Sequence, residues 1–228
     1  DLLSGIGSDC VGAIQLSTNP DVADIKHIVA KPVSDEGIAQ RLKHYKTAPL
    51  GMQENDDFRI SIAGAQEKTA FLWHEQQWKI PQGSTPTTHI FKLPIGMIAG
   101  HNLDLSTSCE NEWLCLRIAA AFGLSVASAS VEQFDDRKVL VVERFDRRWS
   151  QDGSWILRLP QEDLCQVLGI PSGLKYERDG GPGIADVMEV LRFSEAAEVD
   201  RARFMLAQIV FWLLAAIDGH GKNFSIFI

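Results

Sequence analysis

Asp218 and Asn223 stand five residues apart in the string DGHGKN. A carboxylate can take the proton of an attacking hydroxyl, and an amide oxygen five residues on can hold magnesium, as in the D-x-x-x-x-N catalytic loop of phosphoryl-transfer enzymes. The same six residues after an apolar helix also suit a capped turn, so this spacing alone leaves both readings open. A second segment, SIAGAQEKT from Ser61 to Thr69, places small residues between two strand-forming runs. Backbone amides there can approach an anion closely, and a strand-turn-strand loop can lie over phosphates. A plain hairpin with Gly64 and Ala65 at its tip is the alternative. The third signal is Lys92, which alternation puts on the opposite strand face from Phe91 and Leu93. A lysine in an apolar strand needs a partner, and Glu110 or Glu112 downstream can supply one; otherwise it is an edge lysine that discourages strand pairing.

These residues need a scaffold. Period-two runs predict strands at 11–16, 58–62, 68–73, 78–80, 88–93 and 138–144, most of them in a small antiparallel sheet. Short and long helical patterns cover 36–45 and the run after Thr107, where Thr107 and Glu110 have capping-box spacing and Gly123 supplies the stop. Pro160, Gln161, Glu162 and Asp163 suit the first turn of a helix that Gly169 closes. Residues 174–183 read as a surface loop, and 184–193 and 195–217 as helices, the latter with a weak point at Val199-Asp200.

Composition limits the alternatives. In 228 residues, 45% are hydrophobic and 23% charged, which excludes disordered, collagen-like and disulfide-scaffold classes. The formal charge of −8 repels phosphate backbones, so direct nucleic-acid binding requires a local basic patch. The cluster Arg144, Arg147 and Arg148 has Glu143 and Asp146 among it, which favours local salt bridges. Four cysteines without CxxC spacing read as small hydrophobes of a reducing cytosol, and His89 and His220 are too isolated for a metal centre. His220 is read as orienting its loop, and the six tryptophans as packing residues. The most apolar stretch, 204–217, is interrupted by Gln208 and too short to span a bilayer.

Read together and in order, ISIAGAQEKTAF, PTTHIFKLPIG, ENEWLCLRIAAAFGL, VVERFDRRW, LRLPQEDLCQ, KYERDGGPGIA and DGHGKNFSIFI resemble the HipA family, the toxin kinases of bacterial HipBA toxin–antitoxin systems. The likeness is dense from about residue 57 onward, and DLLSGIGSDCVGAIQL resembles the end of the family's β-rich N-terminal subdomain. The resemblance implies a cytoplasmic serine/threonine kinase that uses ATP and Mg2+ to phosphorylate a glutamyl-tRNA synthetase. It makes Asp218 the catalytic base, Asn223 the metal ligand, Lys92 the phosphate lysine, and Ala63, Gly64, Ala65, Gln66, Glu67, Lys68 and Thr69 the phosphate loop. Glu143 and Phe145 fall where the family's hinge contacts adenine, and His220 and Lys222 count with the nucleotide contacts. Ser61 matches the autophosphorylated serine. The implied partner is a HipB-like antitoxin, a helix-turn-helix dimer that would carry all DNA contacts; no membrane is involved.

The expected fold is α+β and two-lobed, kinase-like, with a strand-rich first half and an all-helical second half. Its expected divisions are a subdomain remnant at 1–18, an N-lobe at 19–145 and the start of a C-lobe at 146–228. Family members also carry a second metal-binding aspartate after the catalytic loop, whereas this sequence stops five residues after Asn223. The chain is therefore read as truncated at both ends, with an inactive fragment that binds antitoxin or nucleotide as the rival reading.

Overall fold

The computed structural model describes residues 9–16, 24–45, 60–61, 66, 68–98 and 102–228, with only the backbone at 44, 45, 60 and 61. The chain divides into two compact units, Asp1–Leu116 with Ala127–Leu159, and Arg117–Val126 with Pro160–Ile228. Its elements run β1 (Asp9–Cys10), β2 (Ala30–Pro32), α1 (Asp35–Tyr45), β3 (Ile60–Ser61), β4 (Lys68–His74), β5 (Gln77–Pro81), β6 (His89–Lys92), β7 (Gly96–Ile98), β8 (Leu103–Leu105) and α2 (Ser108–Ala121). They continue with β9 (Ala129–Phe134), β10 (Arg137–Glu143), β11 (Arg147–Trp149), β12 (Ile156–Arg158), β13 (Gln161–Asp163), α3 (Leu164–Val167), α4 (Ile184–Val190), α5 (Ala197–Leu213) and β14 (Ser225–Phe227). The fold is α+β.

The first unit is built on a six-stranded antiparallel sheet in the order β2-β5-β4-β6-β10-β9. Because side chains alternate, Phe71, Phe91, Leu93, Val139 and Val141 share one face and bury against Ile38, Ala39 and Leu42 of α1. Phe71 and Phe91 meet edge to face with centroids 4.8 Å apart. The alternation that fills this core turns Lys68 and Lys92 to the other face, where register makes them direct cross-strand neighbours. Two sheet strands, β2 and β9, lack a clean apolar alternation and were not predicted. The strand expected at 11–16 is instead a turn following β1, with Gly12 at φ 72 and Ile14 62% exposed. Of the strand expected at 58–62, the described part is β3, which pairs parallel with β1.

The chain after Phe145 is not all-helical. In the first unit β11 pairs with β12, and in the second β13 pairs with β14, both antiparallel. Pro160 does not open a helix, because Asp163 three residues later is the better cap: its carboxylate accepts from Gln166 N, and Gln166 Oε1 accepts from Asp163 N. The helix expected at 195–217 is α5, unbroken at Val199-Asp200 and closed before Ala215, whose φ of 51 ends the helical path. The second unit's core joins Leu164, Val187 and Phe204 with Phe224 and Ile226. Among the described residues no helix is long and apolar enough to cross a membrane.

Candidate functional site

In the first unit, Lys92 Nζ donates to Glu112 Oε1 at 2.5 Å. This settles the choice between two glutamates, since Glu110 pairs with Lys138 of β10 instead. One helical turn of α2 thus hands its two carboxylates to two neighbouring strands. Cys109 below them is buried, its Sγ 3.4 Å from the Lys92 carbonyl, which ties the start of α2 to β6. Lys68 is Lys92's cross-strand neighbour. Burial, and then the Lys92 charge, push the Lys68 ammonium below its usual range, with Glu112 partly offsetting both. Two ammonium groups thus stand side by side on this sheet face, with Glu112 on Lys92. Like charges opposite one another in a ladder cost stability, and a polyanion relieves that cost.

The rest of the expected phosphate loop is partly visible. Gln66 Nε2 donates to the Leu93 carbonyl at 2.6 Å, fastening the loop to the end of β6, and Thr69 is buried in β4. Ala63, Gly64, Ala65 and Glu67 lie outside the described residues, as does the side chain of Ser61, whose backbone is in β3.

Where β10 ends, exposure alternates: Glu143 and Phe145 face outward, Phe145 at 59% exposed, while Arg144 and Asp146 are buried. The expected local salt bridges form at Arg144 and Arg147, whereas Arg148 is exposed. Arg144 forks onto Asp146 through Nε and Nη2 at 2.9 and 2.8 Å. Asp9 of β1 enters the same cluster, accepting from Arg144 Nη1 and Arg147 Nη2, each at 2.9 Å. Burial alone would raise the Asp146 carboxyl, but the Arg144 fork and the Arg144 and Arg147 charges hold it below the ordinary range.

The second unit carries the other constellation. The exposed Asp218 carboxylate accepts from Tyr176 Oη through Oδ1 at 3.2 Å and faces Asn223 Nδ2 through Oδ2 at 3.3 Å. Asn223 Nδ2 also donates to the Asp218 carbonyl at 2.6 Å. With its nitrogen committed, the amide presents Oδ1, which makes no hydrogen bond among the described residues. His220 is buried beneath, its ring edge-on to Tyr176 at 5.0 Å and its Nε2 3.5 Å from Asp218 Oδ1, which fits an orienting role. Lys222 is held by Asp163 at 3.0 Å, so the residue capping α3 also anchors this loop.

Residues 174–180 are exposed or half-buried, as expected of a surface loop, whereas 181–183 are buried and packed. Gly221 N donates to the Lys175 carbonyl, and a Cβ on Gly221 would lie 2.7 Å from Pro182 Cγ and 3.2 Å from Cys165 Sγ. Gly181 is tighter still, since its Cβ would fall 2.1 Å from the Leu174 carbonyl oxygen. Only glycine permits both approaches, and together they bring Tyr176 to Asp218. Tyr176 and Asp9 went unread in the sequence, and Asp163 was read only as a first-turn residue of a helix, not as the anchor of this loop. Tyr176 left a trace as one of only two tyrosines, lying in a glycine-rich stretch.

Among the described residues no three His, Cys, Asp or Glu side chains group as a metal site, and none of the four cysteines is in a disulfide, Cys109 and Cys165 being buried. The donor set around Asn223 nonetheless suits a hard cation that binds through few protein oxygens, water and phosphate, because an amide oxygen and a carboxylate are what such an ion takes.

The profile of the family described as HipA-like C-terminal domain matches residues 60–228. The kinase-named protein Y4mE of Sinorhizobium fredii is 37% identical over 234 residues, covering 99% of this chain and 53% of its own length. The serine/threonine-protein kinase toxin HipA of Shewanella oneidensis is 32% identical over 238 residues, covering all of this chain and 52% of its own length. A chain in the solved complex of HipA, HipB and operator DNA from Shewanella oneidensis MR-1 superposes with a TM-score of 0.76 at 26% identity, over 100% of this chain and 53% of that one. The chain thus spans about half the length of the relatives it matches, its fold is kinase-like, and it belongs to the HipA family.

Proposed function

We propose that this chain is the ATP-handling part of a two-lobed serine/threonine protein kinase toxin of the HipBA type. The observation that carries the reading is the Lys92–Glu112 pair on a sheet strand, with Lys68 beside Lys92 in register. Lys92 and Lys68 bind ATP phosphates with the backbone of residues 63–69. Glu143 and Phe145 contact the adenine, and His220 and Lys222 shape the nucleotide side of the catalytic loop. Asp218 accepts the proton of a substrate hydroxyl as its oxygen bonds to the γ-phosphorus; the bond from that phosphorus to the β–γ bridging oxygen breaks, and ADP leaves with the electron pair. Asn223 Oδ1 would hold Mg2+, which would supply charge neutralisation for the phosphates.

The protein substrate in this reading is a glutamyl-tRNA synthetase, and Ser61 is the autophosphorylation site. A phosphate on Ser61 adds roughly −1.5 to −2 charges beside the phosphate loop and opposes ATP binding. A HipB-like antitoxin is the partner and supplies the DNA contacts, consistent with a net charge of −8 on this chain. The setting is the cytoplasm.

The test is phosphoryl transfer by the full-length protein. Asp218→Asn keeps the hydrogen-bonding shape but cannot take a proton, so transfer of labelled γ-phosphate should fall about 10²–10⁴-fold with Mg-ATP affinity unchanged. Transfer at the unmutated rate would remove Asp218 from the mechanism.

A further inference from the structure

The segment proposed to meet the adenine, Glu143 to Phe145, is fixed from behind. Arg144 and Asp146 point inward between them, into a cluster whose side chains are 1–5% exposed. Asp9 lies at its centre. Its Oδ2 accepts from Thr87 N, Thr87 Oγ1 and Arg144 Nη1 at 3.1, 2.5 and 2.9 Å, and its Oδ1 accepts from Arg147 Nη2 at 2.9 Å. The turn after β1 adds backbone partners: Gly12 N donates to Asp146 Oδ2 at 2.8 Å, the Gly12 carbonyl accepts from Arg147 Nη1 at 2.9 Å, and the Cys10 carbonyl accepts from Arg147 Nη2 at 2.7 Å. Arg158 reaches Asp9 Oδ1 at 3.6 Å, so three guanidinium groups share two carboxylates.

That balance makes Asp9 decisive. A buried guanidinium tolerates low dielectric only while a carboxylate faces it. Without the Asp9 charge, Arg144 must share Asp146 with two other cations, and the main chain it holds at residue 144 is freed to move. The next residue on either side is a proposed base contact. We infer that Asp9, some 130 residues away in sequence, is a positioning residue for nucleotide-base recognition: the segment Asp9 to Gly12 acts as a buttress that sets the angle at which Glu143 and Phe145 meet the base. This rests on the reading of those two residues as adenine contacts.

A buttress of this kind affects the base and not the phosphates. In the full-length protein, calorimetric titration well below the melting temperature should give Asp9→Asn an ATP dissociation constant about tenfold higher, with tripolyphosphate affinity unchanged. Thr87→Val removes one hydroxyl that both Asp9 and Arg144 use while keeping every charge; it should move the same ratio in the same direction by about threefold. Thr87→Val decides the matter if Asp9→Asn fails to accumulate. Unchanged ATP and tripolyphosphate affinities alongside a lowered melting temperature would make the cluster purely structural and overturn the inference. Unmutated protein that binds ATP no better than tripolyphosphate would instead remove the base-contact reading, and the inference with it.

Discussion

Two charged clusters in the first unit are built on opposite terms. Around Asp9, Arg144, Asp146 and Arg147 the side chains are 1–5% exposed and every carboxylate oxygen is taken by guanidinium, hydroxyl or backbone donors. Around Lys92 and Glu112 the side chains are 25% and 34% exposed, and Lys68 adds a second cation on the same sheet face. The first cluster is closed by the protein itself, and its product is a fixed backbone. The second sets two ammonium groups side by side on a face that solvent partly reaches. A buried network whose carboxylates are all satisfied holds a fold together, whereas neighbouring like charges on a half-buried face are suited to hold a polyanion.

The sharpest way to break this contrast is to remove one carboxylate from each cluster. Asp146→Ala strands the Arg144 fork and the Gly12 N–H in the interior, and should lower unfolding free energy by about 3–5 kcal/mol. Glu112→Gln removes a charge that water already screens, so stability should change by less than about 1 kcal/mol. Its cost should appear in catalysis, as roughly a hundredfold loss of phosphoryl transfer from a lysine no longer held in place. Urea unfolding followed by circular dichroism, paired with a transfer assay, reads both quantities. Equal stability losses in the two variants would erase the distinction.

A smaller effect is expected in the second unit, where Asp218 is more exposed than Glu112 and braced by neutral groups. Tyr176→Phe deletes the 3.2 Å hydrogen bond to Oδ1 and leaves the ring that packs on His220. A hydrogen bond to a charged group contributes enough that kcat should fall about tenfold, with the KM for ATP unchanged. An unchanged kcat would mean that Asn223 suffices to aim the carboxylate.

The two kinds of charge also differed in how legible they were. Lys92 stood out because a lysine in an apolar strand conflicts with its surroundings, and alternation alone put it on the correct face. Asp218 and Asn223 stood out by spacing. The buried cluster was only half read: Arg144, Arg147 and Asp146 are close in sequence and their pairing was anticipated, but Asp9 joins them across more than 130 residues, and no periodicity encodes such a contact. Element prediction failed for the same reason. β9 and β14 are strands because of what they pair with, and α3 starts where the Asp163–Gln166 capping box closes, not where proline permits. Tyr176 was hidden by a glycine-rich stretch whose composition resembles a loop and whose glycines are there for close packing.

Between the two extremes sits His89, at the start of β6 on the core side of the sheet. Its ring meets Trp78 edge-on at 5.1 Å, its Nδ1 lies 2.9 Å from Thr88 Oγ1, and burial pushes its pKa from 6.5 down to about 4. No carboxylate compensates it, so the folded state keeps the neutral ring, whereas the unfolded chain takes up a proton near pH 6.5. The sign follows from that difference. The contribution is fully present above pH 6.5 and is lost as pH falls from 6.5 toward 4, because acid favours the state that binds the proton. Carboxylates held below their ordinary range, such as Asp24, Glu75 and Asp136, begin to lose stability only at lower pH, which leaves the window to His89. The melting temperature should therefore drop by a few degrees between pH 7 and pH 5, and His89→Gln should flatten that drop while leaving the steeper decline below pH 4 in place. An unaltered slope in the variant would show that the ring is protonated in the folded protein, and that an uncompensated site on this face tolerates charge as readily as the surface around Lys92.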